Sequence, residues 1–401
     1  MFSKHHIKIV KQWSQVLSCE AYEDSIDYVT KKKSNIAKMR NFINLCLLFS
    51  SSFLVFGWSP NPPISNSARS LAATSLESSG VPEEKNGNTQ TVCIIGGGFG
   101  GLTCALSLSS LVKEKKDKPK IVLIDKRERF VFLPLLYELC VGDATIEEVA
   151  PTYSYLLEGT GVEFIQADVC DIDKQKQVVY SASGEEEICK YDSIILATGN
   201  EASFFGVPGA EKFAQAFYTI EDCYELRKKL SYFDARDSDF EKPLEVVVVG
   251  AGYSGVELAL NIGERLCKSD DMHVNTYLVH RGNEILPSAS DFNRQSSEAE
   301  LVKKGVQLLT GTSVNEVQST EAEERKKVLL SKNDGSIETI ECDLLLWTTG
   351  NKPSDIIKRA NFVTDKNGRI VTGKSLAVKG EKNIFAIGKL KYYTCVTSSW
   401  E

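Results

Sequence analysis

The chain has 401 residues, which is enough for two or three domains of ordinary size. Hydrophobic residues make up 42% and charged residues 25%, a profile typical of globular domains. The formal net charge is -7 and neither half is strongly basic, which argues against nucleic-acid binding. The 11 Cys form no C-x-x-C pair and no zinc-type spacing, and only 4 His are present, so we expect no metal site and no dithiol motif. No apolar run reaches the about 18 unbroken residues of a membrane-spanning helix.

Residues 1–90 differ in composition from the rest. The apolar stretch Asn41–Trp58 is interrupted by serines, and Ser59–Gln90 is rich in Ser, Pro, Asn and Ala. This order predicts a targeting region that is later removed, with a membrane-anchoring or merely hydrophobic leader as the alternative. Met39 directly precedes the apolar stretch and is an alternative start to Met1.

A first glycine motif follows a short apolar run at Val92. Its spacing, G-x-G-x-x-G, predicts a tight turn at Gly96, a close approach of a pyrophosphate to Gly98, and helix-on-strand packing at Gly101. The helix that begins here presents free N–H groups to a phosphate. A second strand, Lys120–Ile124, ends in Asp125, an acid placed to hold a ribose, although later than the usual about 20 residues. The order strand, glycines, helix, strand, acid predicts a dinucleotide site.

The pattern returns at Leu244, with Gly250, Gly252 and Gly255 again between a strand and a helix. Two such motifs in one chain predict two bound dinucleotides. The strand Val274–Val279 is followed by the basic pair His280 and Arg281 where an acid would select NADH. A basic pair accommodates a 2′-phosphate, so the pattern favours NADPH; the alternative is that Arg281 is a solvated surface charge and either cofactor serves.

Three further segments end in small residues, which let a backbone pass close to a cofactor. They are Tyr191–Gly199, ending in Ala-Thr-Gly; Cys342–Gly350, ending in Thr-Thr-Gly; and Asn383–Gly388. The order of GGGFGG, ATG, GAGYSGVELA, WTTG and IFAIG resembles the flavoproteins with two dinucleotide-binding domains. Phe130–Glu138 and Phe204–Arg227 resemble, more narrowly, the plant and cyanobacterial branch of the type II NAD(P)H:quinone oxidoreductases.

The resemblance, over residues 91 to 388, implies FAD on the first domain, NAD(P)H on the second, and a quinone of the plastoquinone or naphthoquinone class as acceptor. It implies that Glu257 lies near nicotinamide and quinone and assists proton delivery; the alternative is a carboxylate stabilised by the helix dipole. It also implies peripheral membrane contact, a possible homodimer, and a plastid location that includes plastoglobules, with the mitochondrion as alternative. The implied cofactor-binding residues are Gly96, Gly98, Gly101, Asp125, Pro134, Thr198, Gly199, Gly250, Gly252, Gly255, His280, Arg281, Gly350 and Gly388.

A related sulfide:quinone reductase carries sulfur on cysteine, which makes Cys140 and Cys170 candidates for that role. Lone cysteines in apolar surroundings are more often buried small hydrophobes, and a thiol mechanism is the weaker hypothesis. A ferredoxin or disulfide reductase is disfavoured for want of a redox cysteine pair.

The carboxy-terminal end departs from the family pattern. Gly388 is followed by Lys389 where the family has an Asp that reaches the flavin, and the family continues with a helix that covers the flavin and with a membrane-contacting segment. We therefore keep a second hypothesis open, a truncated and catalytically impaired flavoprotein fragment that binds nucleotides but lacks a complete quinone site.

The predicted fold is α/β, with two Rossmann-like dinucleotide-binding domains, the second inserted in the first. The predicted divisions are a leader at 1–90, the FAD-binding domain at 91–205 and 340–388, the NAD(P)-binding domain at 206–339, and an atypical tail at 389–401. A hairpin, Val328–Ile340, is predicted to turn at Asp334 and Gly335.

Overall fold

The computed structural model describes residues 89–181, 186–234, 243–266, 273–320, 325–373 and 375–393. For residues 389, 392 and 393 it describes the backbone alone. The predicted leader, most of the charged loop at 234–242 and most of the tail lie outside the described residues. Among the described residues, no helix has the length and apolar character needed to cross a bilayer.

The strands β1–β20 are, in chain order, Thr91–Ile95, Lys120–Asp125, Glu163–Gln166, Val169–Asp173, Val178–Ser181, Glu187–Lys190, Ser193–Leu196, Asn200–Ala202, Gln215–Ala216, Leu244–Val249, Val274–Val279, Val306–Leu309, Thr312–Ser319, Lys326–Lys332, Ile337–Cys342, Leu344–Trp347, Asn351–Pro353, Ile370–Thr372, Ile384–Ala386 and Lys391–Tyr393. The α-helices α1–α9 are Phe99–Val112, Leu136–Val141, Ile146–Val149, Tyr153–Leu156, Ala210–Phe213, Ile220–Asp234, Tyr253–Leu266, Asp291–Lys303 and Ile356–Arg359. Two 3₁₀ helices span Leu133–Leu135 and Gly388–Leu390.

The first large sheet is parallel and has the strand order β19-β7-β1-β2-β3. Its central strands are almost continuously apolar because both faces are covered. Ile94 and Leu123 point into one core, whereas Cys93 and Val122 point into the core on the other face. The carboxyl ends of β1, β2, β7 and β19 therefore meet at one edge of this sheet.

The second large sheet is also parallel, in the order β12-β11-β10-β16-β9. Its strand β16 pairs with β10, so Leu344–Trp347 belongs to the second sheet, although the predicted division at residue 340 assigned it to the first domain. The division lies after Trp347 instead, because the likeness of Thr-Thr-Gly to Ala-Thr-Gly does not reveal which sheet the preceding strand joins. The chain returns to the first unit after Trp347, where β17 pairs antiparallel with β8.

Smaller antiparallel sheets flank each unit, β4-β5-β6 on the first and β13-β14-β15 on the second. The predicted hairpin is confirmed as β14–β15, with Gly335 in the left-handed region at φ 83°. One hydrophobic core joins the units, because Leu136, Leu139 and Cys140 of α2 are buried together with residues of α6 and α7. The short helix α2 thus packs against α7, the helix that follows the second glycine motif.

Candidate functional site

The first glycine loop joins β1 to α1. Gly96 has φ +97°, and a Cβ at this position would lie 2.5 Å from the carbonyl oxygen of Ala197. A Cβ on Gly101 would lie 1.7 Å from the carbonyl oxygen of Gly96, so only glycine lets helix α1 pack this closely. At Gly98, by contrast, a Cβ would meet nothing within 4 Å. The loop is therefore closed on the protein side and open on the side where a diphosphate would approach.

Asp125 at the end of β2 faces this loop. Its Oδ2 accepts a hydrogen bond from the Gly97 amide at 2.6 Å, and its Oδ1 accepts one from the Arg127 amide at 2.9 Å. Both bonds orient the carboxylate and leave it further lone pairs for a ribose. The structure thus places Asp125 beside the glycine loop, as its predicted role requires.

Tyr153 is a site residue that the sequence analysis missed. Its side chain is buried, and a Cβ on Gly97 would lie 2.2 Å from its Oη, so Tyr153 occupies the space that Gly97 leaves open. Burial and the neighbouring Asp125 carboxylate raise the pKa of Tyr153. The signal was present as the extra glycine of GGGFGG, compared with the alanine of GAGYSG.

The ends of β7 and β19 complete the first site. The hydroxyl oxygen of Thr198 is buried and has no hydrogen-bond partner in the described part of the chain, so it is available to a ligand. Gly199 and Gly388 have φ 65° and 82°, and a Cβ on either would meet nothing within 4 Å. Ile387 lies 3.4 Å from the position of a Cβ on Gly100, which brings the end of β19 against the start of α1.

The segment Phe130–Glu138 lies against the same helix start. Phe99 packs its ring on Phe130 and Phe132, with centroid distances of 5.1 and 5.5 Å. The chain then passes through the exposed Pro134 into α2. The aromatic cluster therefore fixes this segment next to the glycine loop, where the resemblance places it.

The second glycine loop, between β10 and α7, repeats the first. Gly250 has φ +107°, a Cβ on Gly255 would lie 1.8 Å from the carbonyl oxygen of Gly250, and a Cβ on Gly252 would meet nothing within 4 Å. Thr348 was missed by the sequence analysis: its hydroxyl donates to the carbonyl oxygens of Val249 and Gly250 at 3.0 and 3.1 Å. This side chain ties the end of β16 to the loop.

His280 directly follows β11, at the register position that Asp125, the last residue of β2, has in the first sheet, and Arg281 comes next. The Ala251 amide donates to Nδ1 of His280 at 3.3 Å, and burial and then Arg281 lower the pKa of His280. The Arg281 side chain is exposed. Gly350 is also predicted to bind the cofactor. The structure gives a separate reason for a glycine at this position: a Cβ there would lie 2.3 Å from the carbonyl oxygen of Ser203, where the chain crosses between the units. Its role toward a cofactor stays a prediction.

Glu257 lies in the first turns of α7, after the second glycine loop, and its carboxyl group interacts electrostatically with Glu138 of α2. Burial, and then the charge of Glu138, raise the pKa of Glu257 to about 8. The hydroxyl of Tyr137 donates to Oε1 of Glu138 at 3.2 Å. The raised pKa of Glu257 favours its protonated form at neutral pH.

The two cysteines weighed for sulfur chemistry are both buried. The hydrogen bond with Cys223 and burial raise the pKa of Cys140, so its thiol is a poor nucleophile. The thiol of Cys170 contacts the carbonyl oxygen of Ser181. Within the described ranges, no group of three or more His, Cys, Asp or Glu side chains is arranged to hold a metal ion.

Two parallel sheets, each with a glycine loop at the carboxyl end of its first strand, define an oxidoreductase fold with two dinucleotide-binding units. Residues 90–397 match the family described as pyridine nucleotide-disulphide oxidoreductase. The chain belongs to this family and, within it, to the type II NADH:quinone oxidoreductases. The predictions of family and of α/β fold class are confirmed.

Two relatives illustrate the match. The chain is 36% identical over 305 residues to the demethylphylloquinone reductase NdbB of Synechocystis sp., covering 74% of this chain and 70% of the relative. It is 38% identical over 317 residues to the alternative NAD(P)H-ubiquinone oxidoreductase C1, chloroplastic/mitochondrial, of Arabidopsis thaliana, covering 74% of this chain and 60% of the relative. These relatives favour the oxidoreductase hypothesis over that of an impaired fragment.

Solved structures share the fold. The structure of NDH2 from Plasmodium falciparum in complex with NADH matches with a TM-score of 0.66 at 22% identity, covering 76% of this chain and 65% of that one. The sulfide:quinone oxidoreductase of Aquifex aeolicus matches with a TM-score of 0.63 at 22% identity, covering 76% of this chain and 69% of that one. At these identities the likeness concerns the fold alone.

Proposed function

We propose that the chain is an FAD-dependent NAD(P)H:quinone oxidoreductase, with FAD at the first glycine loop and NAD(P)H at the second. The observation that carries the proposal is the pair of matching loops, each closed by its outer glycines and open at Gly98 or Gly252. Helix α2 of the first unit and α7 of the second share one hydrophobic core, which holds the two units together. The names of the relatives support the same reaction.

The residues of the first loop fit FAD. The helix start at Gly98 would supply N–H groups to the diphosphate, Asp125 would accept from a ribose hydroxyl, and the unpaired Thr198 hydroxyl lies at the adjacent strand end. The chemistry that bound FAD would supply here is hydride acceptance from NAD(P)H and electron transfer to the acceptor. The protein binds, orients and excludes water around this chemistry.

Glu257 has the proton that quinone reduction needs. Its raised pKa of about 8 favours the protonated carboxyl group near neutral pH. We therefore assign to Glu257 the delivery of a proton to a quinone oxygen, followed by its reprotonation from solvent. Tyr137 donates a hydrogen bond to Glu138, whose charge contributes to the raised pKa of Glu257.

For the nicotinamide cofactor we propose a preference for NADPH. The exposed Arg281 follows β11, and no carboxylate stands at the strand end where one would select NADH. For the acceptor we propose a membrane quinone of the plastoquinone or naphthoquinone class, reached at the membrane periphery. A plastid location, with the mitochondrion as alternative, and a homodimer complete the proposal and follow from the family.

The test is an anaerobic spectrum of the full chain after reconstitution with FAD. NADPH should bleach the flavin band, and a soluble plastoquinone analogue should restore it. Failure to retain FAD would overturn the assignment of the first loop. Bleaching that only ferricyanide and no quinone reverses would overturn the assignment of a quinone as acceptor.

A separate variant tests sulfur chemistry. Cys140→Ser should behave as the wild type, whereas loss of turnover would favour a thiol mechanism.

A further inference from the structure

The two units hold their glycine loops by different chemistry. In the first, the amide after the leading glycine, Gly97, donates to the carboxylate of Asp125 at 2.6 Å. In the second, the equivalent amide, Ala251, donates to Nδ1 of His280 at 3.3 Å. An imidazole thus takes the position and the acceptor function of a carboxylate, but without its negative charge.

This hydrogen bond fixes the tautomer of His280. A ring nitrogen that accepts an N–H must be unprotonated, so His280 is neutral and carries its proton on Nε2. The lowered pKa agrees with this geometry. His280 is therefore not a cation for a 2′-phosphate, and Arg281 supplies the positive charge at this strand end.

Gly282 makes room for this ring. A Cβ at Gly282 would lie 2.8 Å from Nε2 of His280 and 3.2 Å from its Cδ2. The surrounding backbone has little freedom to relieve that contact: the Thr312 amide donates to the carbonyl oxygen of His280 at 2.9 Å, and the Gly311 amide donates to that of Gly282 at 2.8 Å. Residue 282 therefore controls whether the imidazole can reach the loop.

We propose that His280 is a specificity-determining residue that anchors the second glycine loop as a neutral acceptor, and that Gly282 permits this arrangement. The neutral anchor keeps the loop in the shape that Asp125 gives the first loop, while removing the charge that would repel a 2′-phosphate. The inference rests on the proposed binding of NAD(P)H at the second loop.

Three substitutions at one position separate the anchor from the charge. His280→Asp keeps an acceptor but adds a negative charge, so affinity for adenosine 2′,5′-bisphosphate should fall at least about tenfold relative to 5′-AMP. His280→Asn keeps a neutral acceptor, so the ratio should stay within about threefold of the wild type. His280→Ala removes the acceptor, so both affinities should fall by a similar factor. Gly282→Ala should have the same effect as His280→Ala, namely a similar fall in both affinities.

Calorimetric titration of the FAD-loaded full chain with these two nucleotides gives the ratios. The proposal would be overturned if His280→Asp kept the wild-type ratio of the affinities for adenosine 2′,5′-bisphosphate and 5′-AMP. It would also be overturned if His280→Asn changed this ratio by more than about threefold. If neither nucleotide binds the wild type, the proposed function of the second loop fails instead. A test that needs no variant is the ¹⁵N NMR signature of His280 at neutral pH: Nδ1 without a proton is expected, and a protonated Nδ1 would overturn the proposal.

Discussion

Arg281 is an exposed cation two residues after the end of β11, and the proposed preference for NADPH depends on it. We expect Arg281→Glu to lower kcat/KM for NADPH about 10- to 100-fold more than for NADH, because a hydrogen bond to a charged group contributes about 1.5–3 kcal/mol. Steady-state rates with both cofactors measure this. The matched control is Lys228→Glu on the exposed side of α6, and an unchanged NADPH/NADH ratio in Arg281→Glu would contradict the assignment.

The titration of Glu257 should make the free energy of unfolding fall as the pH rises. Its pKa is raised from 4.5 to about 8 in the folded chain, so between these values the folded state keeps a proton that the unfolded chain has released. The free energy of unfolding therefore falls as pH rises through this window, and the contribution is intact below it. We expect the wild type to lose at most about 4 kcal/mol relative to Glu257→Gln between about pH 5 and about pH 9.

Urea unfolding of both proteins at several pH values checks this expectation. Glu147→Gln, an exposed glutamate on α3, serves as the control and should keep the pH dependence of the wild type. Parallel pH profiles for the wild type and Glu257→Gln would mean that Glu257 does not titrate in this window. The proton-delivery role would then lose its physical basis.

At the scale of elements, β1, its glycine loop and α1 contain one glycine needed for helix packing, Gly101, and one that we propose is needed for flavin binding, Gly98. Gly101→Ala forces a Cβ to 1.7 Å from a backbone oxygen, so helix α1 must move and thermal stability should fall by several degrees. Gly98→Ala meets nothing within 4 Å, so its stability should stay near that of the wild type while flavin is lost on gel filtration. Retention of flavin by Gly98→Ala would show that the diphosphate does not approach there.

The sequence predicted these elements well because glycine spacing is a local signal. Gly96, Gly98 and Gly101 act within one turn, and the positions of β1, α1 and β2 followed from them. Tyr153 escaped prediction because its partner Gly97 lies far away along the chain. The structure brings them together only once β2 and α4 have packed.

Contacts between distant elements account for the other differences. Trp347 lies in β16 beside β10, and nothing local distinguishes its strand from β7 of the first sheet. The electrostatic effect of Glu138 on Glu257 likewise depends on the packing of α2 against α7, which no periodicity in either helix reveals. The sequence therefore predicted where the glycine loops lie between strand and helix, but not the side chains that orient them, and the binding roles of the loop residues stay predictions.

At the scale of the whole molecule, helix α2 should make the two units unfold together. Leu139 is 2% exposed and lies in a core that α6 and α7 also form. Leu139→Ala should cost about 2–5 kcal/mol and lower the hydrogen-exchange protection of β1 and β10 in parallel. Leu111→Ala, at a side chain 72% exposed, is the control and should change neither strand. Loss of protection in β10 alone would mean that the units unfold independently.

The antiparallel pair β8–β17 has a consequence for how such a chain can be rearranged. The Ser203 amide donates to the carbonyl oxygen of Gly350 at 3.2 Å, so the two crossings between the units lie side by side. The chain therefore enters and leaves the second unit through two adjacent segments. A short turn joining residue 203 to residue 350 would delete the second unit and leave the strand order of the first sheet unchanged. What resists such modular exchange is α2, whose apolar face would be uncovered by the excision. A replacement cassette would have to offer that face a new partner, so the helix limits which domains recombination could insert there.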